Sequence, residues 1–231
     1  MKSTMMRVLV LVLCGVVSNS LIAAPPGAPI GLLSKVILDV SRKESGKTWE
    51  KATRGQTLAT GDMVRTGPAS LAIIKFKDNS LVHLREKAEL TVTGTTTGGS
   101  FSKMVEIQTG VVGFNVAKQR AGEEFRFTSP TSVASIRGTA GAFNATSGSD
   151  TLIVTEGAIQ FSNRFSSRSL VVNAGFTGLS KRDGTLQTRT STEQERRAAA
   201  EALQDGQNKK LELELRNPQG KTSRLKIEYK D

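Results

Sequence analysis

From about residue 35 to residue 180 the chain is a succession of short runs rich in β-branched residues, broken at close intervals by Gly, Asn, Asp and Ser. The runs include 35–40, 71–76, 80–84, 89–93, 103–107, 110–116, 124–128, 132–136, 142–145, 151–155, 158–161, 170–172 and 175–179. Most are too short for a helix, and β-branched side chains fit a pleated surface better than a helical one. Many short strands at even spacing, with turn residues between them, define an all-β sandwich, barrel or solenoid. A chain of 231 residues can build an apolar core without staples.

Several turns are legible. Residues 77–80 separate two alternating runs, so a hairpin tip falls there, with Asn79 able to take positive φ. Residues 93–100, a Gly/Thr stretch without apolar content, read as an exposed, mobile loop, and 147–150 as a surface turn. After Thr190 the pattern changes. Thr192 and Glu195 form a Thr-x-x-Glu capping box before a run of helix formers at 193–204, and Gly206 is placed to end it. The helix has a thin apolar face of Ala198, Ala199, Ala202 and Leu203, which suits a surface position. Residues 211–215 and 224–229 then alternate strictly, as half-buried strands do. Pro218 and Gly220 suit a three-residue loop, which sets Glu214 opposite Arg224, Glu212 opposite Lys226, Leu213 opposite Leu225 and Leu211 opposite Ile227. A two-stranded hairpin is marginal alone, so it is expected to dock on the main domain or on a partner.

The N-terminus reads as a Sec-type signal peptide over residues 1–23. Lys2 and Arg7 supply positive charge, residues 8–17 are apolar, and small residues at 23–24 offer a cleavage site. The alternative is retention as an anchor, because the stretch 8–24 is only slightly short of a spanning helix. Cys14, the single cysteine, lies inside this segment, and Leu13 before it argues against a lipoprotein site. The mature chain would then lack thiols, hence disulfides, thiolate metal sites and cysteine nucleophiles. The expected product is periplasmic or secreted and not transmembrane after cleavage.

The formal charge of +11 falls to about +9 without the two leader cations, which favours anionic partners. Nucleic acid is not expected as a partner, given the export signal and an aromatic content of 5% that leaves few stacking platforms. Lipid head groups and envelope glycans are the polyanions available outside the cytoplasm.

Catalytic signals are weak. His83 is the only histidine; alternation places it opposite Val82 and Leu84, on the expected solvent side, with no partner motif for general-base work. One histidine and no mature cysteine leave no metal-ligand spacing, and no cofactor is implied. Residues 45–48 and 219–222 imitate the end of a phosphate loop, but the glycine required five residues earlier is Ser41 in one and Leu215 in the other. Glu106, Glu123, Glu124 and Glu156 show no glycosidase pairing, although a spatial pair stays open.

Gly61-Asp62, Thr66-Gly67, Asp78-Asn79-Ser80, Pro130 with Arg137-Gly138-Thr139, Glu156-Gly157 and Ala174-Gly175, taken in order, form a set that resembles the FecR domain of bacterial envelope proteins. Gly61-Asp62 and Thr66-Gly67 resemble its opening, and Asp78-Asn79-Ser80 its hairpin. Pro130 with Arg137-Gly138-Thr139 resembles its hallmark stretch, and Glu156-Gly157 and Ala174-Gly175 its closing turns. The resemblance covers about residues 55–180. It implies a mainly β, twisted solenoid or sandwich, preceded by a lead-in and first strand at 24–54 and followed by a helix at 191–206 and a hairpin at 209–231. Turn chemistry accounts for most of the motif residues as scaffold. Arg137 and Thr139 are the candidate ligand contacts, because a guanidinium between small polar residues can clamp a carboxylate or brace the fold.

Members of this family best known by function regulate a sigma factor through a cytoplasmic segment. An apolar run starting at residue 8 leaves no such portion, so direct sigma-factor contact is not expected. The expected function is a non-catalytic exported module that binds or senses an envelope protein or an anionic glycan or lipid surface. The alternatives are a structural or assembly component of the envelope held by its basic surface, and an undetected hydrolase.

Overall fold

The computed structural model describes residues 27–96 and 100–206 in full, and 97, 209–216 and 222–229 as backbone. The proposed leader and its cleavage site, like the turn at 217–221, lie outside the described residues.

The fold is mainly β, with two sheets packed face to face and a chain that steps from one to the other as it advances along their length. One layer runs, in spatial order, Thr57–Leu58, Gly31–Ile37, Leu71–Phe76, Leu81–Leu84, the second part of the long strand Ser100–Val116, Thr139–Ala145, Ser149–Glu156, Phe176–Lys181 and Leu186–Thr190. The other runs Trp49–Lys51, Val40–Lys43, Met63–Thr66, Glu89–Thr97, the first part of Ser100–Val116, Phe125–Thr128, Ser132–Ile136, Ala158–Asn163 and Ser169–Asn173. All these pairings are antiparallel except that of Phe125–Thr128 with 103–106. The sheet is open, with Leu186–Thr190 and Ser169–Asn173 as the last strands of the two layers.

Ser100–Val116 belongs to both layers, and Gly110 is where it changes over. Its φ of +98° is open to glycine, and a Cβ there would stand 2.3 Å from that of Ala88. Between the layers runs a file of buried phenyl rings. Phe76 meets Phe125 at 5.1 Å, Phe125 meets Phe127 at 5.5 Å, and Phe127 contacts Phe114 at 5.1 Å and Phe143 at 6.2 Å. Phe161 closes the file, 6.2 Å from Phe143. Six of the nine phenylalanines thus fill the interior.

Three expectations are revised. Residues 93–97 and Ser100 are strand and not loop: Glu89–Thr97 pairs with the start of Ser100–Val116, to Thr97 opposite Ser100. Threonine's β-branching suits such a hairpin even without apolar residues. The layers also begin well before residue 55, because Leu33 and Val40 are core residues and their strands pair with Leu71–Phe76 and Met63–Thr66. Asp150 does not belong to a surface turn; it is fully buried, while Ser147 and Gly148 beside it are exposed.

The helix forms at Glu193–Ala202 with its capping box in place. The Thr192 hydroxyl accepts from the amide of Glu195, and the Glu195 carboxylate accepts from that of Thr192. The paired guanidinium of Arg189 is the main reason the Glu195 carboxyl is lowered to about 2. Ala199 and Ala202 lie against Ala142 and Ile153 on the outer face of the first layer. Contact is so close over Gly113 that a Cβ there would stand 2.2 Å from the Ala202 carbonyl oxygen. Gly206 takes φ +85° beyond the helix.

That docking overturns the expected position of His83. Its side chain does face away from Val82 and Leu84, yet it is buried, because the chain leaving the helix covers this face. Asp205 Oδ1 lies 3.7 Å from its Nδ1. Burial lowers the imidazole pKa more than the Asp205 charge and the Gln204 backbone raise it. The C-terminal strands Lys209–Arg216 and Thr222–Tyr229 pair in the expected register, with Glu214 opposite Arg224 and Leu213 opposite Leu225. No helix among the described residues is long and apolar enough to cross a membrane.

Candidate functional site

The opening motif forms a brace. Gly61 turns at φ +88°, and Asp62 behind it points inward. Its carboxylate accepts from Arg42 Nη2 at 2.9 Å and from the amides of Ala59 at 3.0 Å and Ser45 at 3.2 Å. Arg42 is mostly buried and also meets Glu44 at 3.0 Å and Glu50 at 3.4 Å. Thr66 is buried too: its hydroxyl donates to the Arg85 carbonyl at 2.5 Å and accepts from the Ala88 amide at 3.1 Å. Gly67 is required by closeness, since a Cβ would stand 2.4 Å from the Asp39 carboxylate.

The hairpin motif forms a second brace. Asn79 takes φ +65°, and the Asp78 carboxylate receives the Ser80 amide and hydroxyl, the Gln119 side chain at 2.9 Å and Lys103 Nζ at 3.0 Å. Burial alone would raise the Asp78 pKa; these donors outweigh it and hold the carboxyl below its usual range.

The hallmark stretch divides between interior and surface. The hydroxyls of Ser129 and Ser132 both donate to Asp150 Oδ2, the latter at 2.6 Å. Asp150 Oδ1 is buried without a partner. Burial pushes this carboxyl above its usual range, and the serine hydroxyls only partly offset it. A raised folded pKa means the native state holds its proton longer than the unfolded chain, so stability falls as pH rises from the ordinary aspartate range to the raised value. In Asp150→Asn that loss should vanish. Urea unfolding of both proteins from about pH 3 to pH 7 should show the variant gaining on the wild type as pH rises, and parallel curves would contradict this.

Beyond Ile136 the chain crosses between layers. Arg137 is exposed, Gly138 takes φ +73°, and Thr139 is buried with its hydroxyl unpartnered. The two candidate ligand residues therefore face opposite ways, one outward and one into the interior. Gly157, at φ +77°, packs on this turn, where a Cβ would stand 2.5 Å from Thr139 Cγ2. Glu156 beside it is exposed. Gly175, at φ +83°, links two strands, donating to the Val154 carbonyl and accepting from the Ser191 amide.

The other glutamates do not assemble a catalytic pair in the contacts described. Glu124 is held by Arg126 and by the Ser135 hydroxyl at 3.0 Å. Among the described residues no three His, Cys, Asp or Glu side chains gather in metal-binding fashion. A groove of about 730 Å³ lies where the helix meets the first layer, walled by Ile37, Leu38, Leu71, Val111 and Ala202 with Arg85 at its edge.

Sequence reasoning missed Arg42, Lys103, Ser129, Ser132 and Asp150 as parts of these braces. Only the Asx-type spacing of Asp78 and Ser80 was a local signal; the other partners come from distant parts of the chain.

Two packed β layers whose turns are braced by buried side chains define a mainly β domain. Residues 62–160 match the family model described as FecR protein, which supports a FecR domain in this part of the chain. The fold is shared by two crystal structures, at 1.65 Å and 2.50 Å, of a Parabacteroides distasonis protein classed by description as an anti-sigma factor. Their TM-scores are 0.51 and 0.50 at 15% identity over 59% of this chain. The match spans 63% and 62% of those chains' own lengths. No curated protein is detectably similar in sequence.

Proposed function

We propose that this chain is an exported, non-catalytic FecR-domain protein that binds or senses a protein or glycan partner in the periplasm or at the cell surface. One observation carries the reading: the motif carboxylates Asp62 and Asp78 and the hydroxyls of Thr66 and Thr139 are turned inward, while Arg137 alone of the hallmark Arg-Gly-Thr presents a charged side chain outward. Groups committed to bracing are poorly placed for chemistry; an exposed guanidinium on a rigid turn is well placed to clamp an anionic group on a partner.

Arg137→Ala tests it. Because Arg137 is exposed, stability should change by no more than about 0.5 kcal/mol. Loss of a charge-assisted contact should weaken partner retention about tenfold or more. Quantitative capture from envelope extracts, with wild type and variant side by side, measures this. Equal retention would remove Arg137 from the interface, and turnover in a hydrolase screen that glutamate-to-glutamine variants abolish would replace binding with catalysis.

A further inference from the structure

At the far end of the sandwich two neighbouring loops, residues 163–168 and 181–185, are locked together by one buried side chain. Asn163 is 1% exposed. Its Oδ1 accepts from the amides of Phe165 at 2.8 Å and Ser166 at 2.9 Å. Its Nδ2 donates to the Ser180 hydroxyl at 2.8 Å and the Lys181 carbonyl at 2.7 Å. The first loop closes on itself through the Asn163 amide and the Arg168 carbonyl, 2.9 Å apart. With every amide direction of Asn163 in use, the loops cannot fold back without losing buried hydrogen bonds.

What this frame holds outward is a phenyl ring amid cations. Phe165 is 52% exposed, unlike the six rings in the core. Arg182 lies over its ring at 5.6 Å, and Arg164, Arg168 and Lys181 are exposed in the same two loops. Arg164 is further fixed by donating to the Ser129 carbonyl at 2.9 Å. Asp183 is the single acidic residue in the two loops, and its carboxylate accepts from the Thr185 amide.

We propose that these paired loops are a contact site for anionic phospholipid membranes, with Phe165 entering the head-group region and Arg164, Arg168, Lys181 and Arg182 meeting lipid phosphates. Four cations beside one carboxylate complement an anionic surface, and an exposed ring held among them gains free energy on entering the apolar region beneath charged lipid head groups. A soluble polyanion would use the charges and leave the phenyl group in water. The site is separate from Arg137, and neither reading depends on the other.

The test is sedimentation of the chain from Ala24, which keeps every described residue, with vesicles of phosphatidylethanolamine and phosphatidylglycerol, against phosphatidylcholine alone. Binding should require the anionic lipid and weaken with salt. Each cation is worth about fivefold in partitioning, so Arg168→Gln with Arg182→Gln should lose about 25-fold. Lys51→Gln with Arg54→Gln removes equal charge from exposed positions on a different part of the sandwich and should lose under about threefold, since screening ends the attraction within about 10 Å. Phe165→Ser should lose about tenfold even at low salt. Far-ultraviolet circular dichroism checks that each variant is folded, and Arg137→Ala should bind vesicles as wild type does. Equal losses from the two double variants would reduce the effect to net charge and overturn the site. Absence of wild-type binding would do the same, and an unaffected Phe165→Ser would reassign the loops to a soluble polyanion.

Discussion

Replacing Asp62 with alanine is expected to cost about 3 kcal/mol of folding stability, because it strands a mostly buried arginine. Arg42 would lose its 2.9 Å partner and keep only Glu44 and Glu50, which are more exposed, and its Nε already has no partner. The amides of Ser45 and Ala59 would lose their acceptor in the same change. Asp62→Asn keeps an acceptor for those amides and removes only the charge, so it should cost distinctly less. Trp49, the single tryptophan, lies on the strand paired with that of Arg42 and stacks 4.2 Å from the Arg65 guanidinium, so its fluorescence reports unfolding of this region in urea. A cost below about 1 kcal/mol for Asp62→Ala, or equal costs for the two variants, would show that the brace is not what holds this turn.

Phe127→Ala should be at least as damaging, by about 3–5 kcal/mol. Phe127 stands midway in the phenyl file and touches rings from Phe125–Thr128, Ser100–Val116 and Thr139–Ala145. Its removal leaves a cavity that both layers border, and close-packed sheets collapse only partly into such a space. Phe165→Ala is the control. That ring is half-exposed at a loop, and its loss should change stability by no more than about 0.5 kcal/mol. Equal effects would mean that the core is not organised around the phenyl file.

The contrast between these two phenylalanines shows what the linear pattern carries. Phe127 falls in a legible β run and Phe165 between two of them, but nothing local puts Phe127 at the centre of the phenyl file. Residue 79 is a different case, because asparagine tolerates positive φ wherever it sits and the hairpin follows from that. The same holds for the capping box of Thr192 and Glu195, three residues apart, and for the register of the last two strands, where strict alternation matches the observed pairing. The FecR motifs were legible as an ordered set, and turn chemistry accounts for Gly138, Gly157 and Gly175, all with positive φ.

His83 and Asp150 mark where such reasoning stops. Alternation placed the imidazole on the correct side of its strand, but only the docked helix end makes that side an interior. Asp150 follows exposed Ser147 and Gly148, and its burial comes from two serines on another strand's approach and from Phe176–Lys181 beside it.

By itself the sequence determined most of the strands, several turns, the helix cap and the hairpin register, because dihedral preference and two-residue alternation act between residues close in the chain. Tertiary structure alone decided which faces are covered, which charges meet and which phenyl ring is left at the rim. Those outcomes depend on the packing of segments tens of residues apart, as Arg42 with Asp62 and Asp78 with Gln119 show.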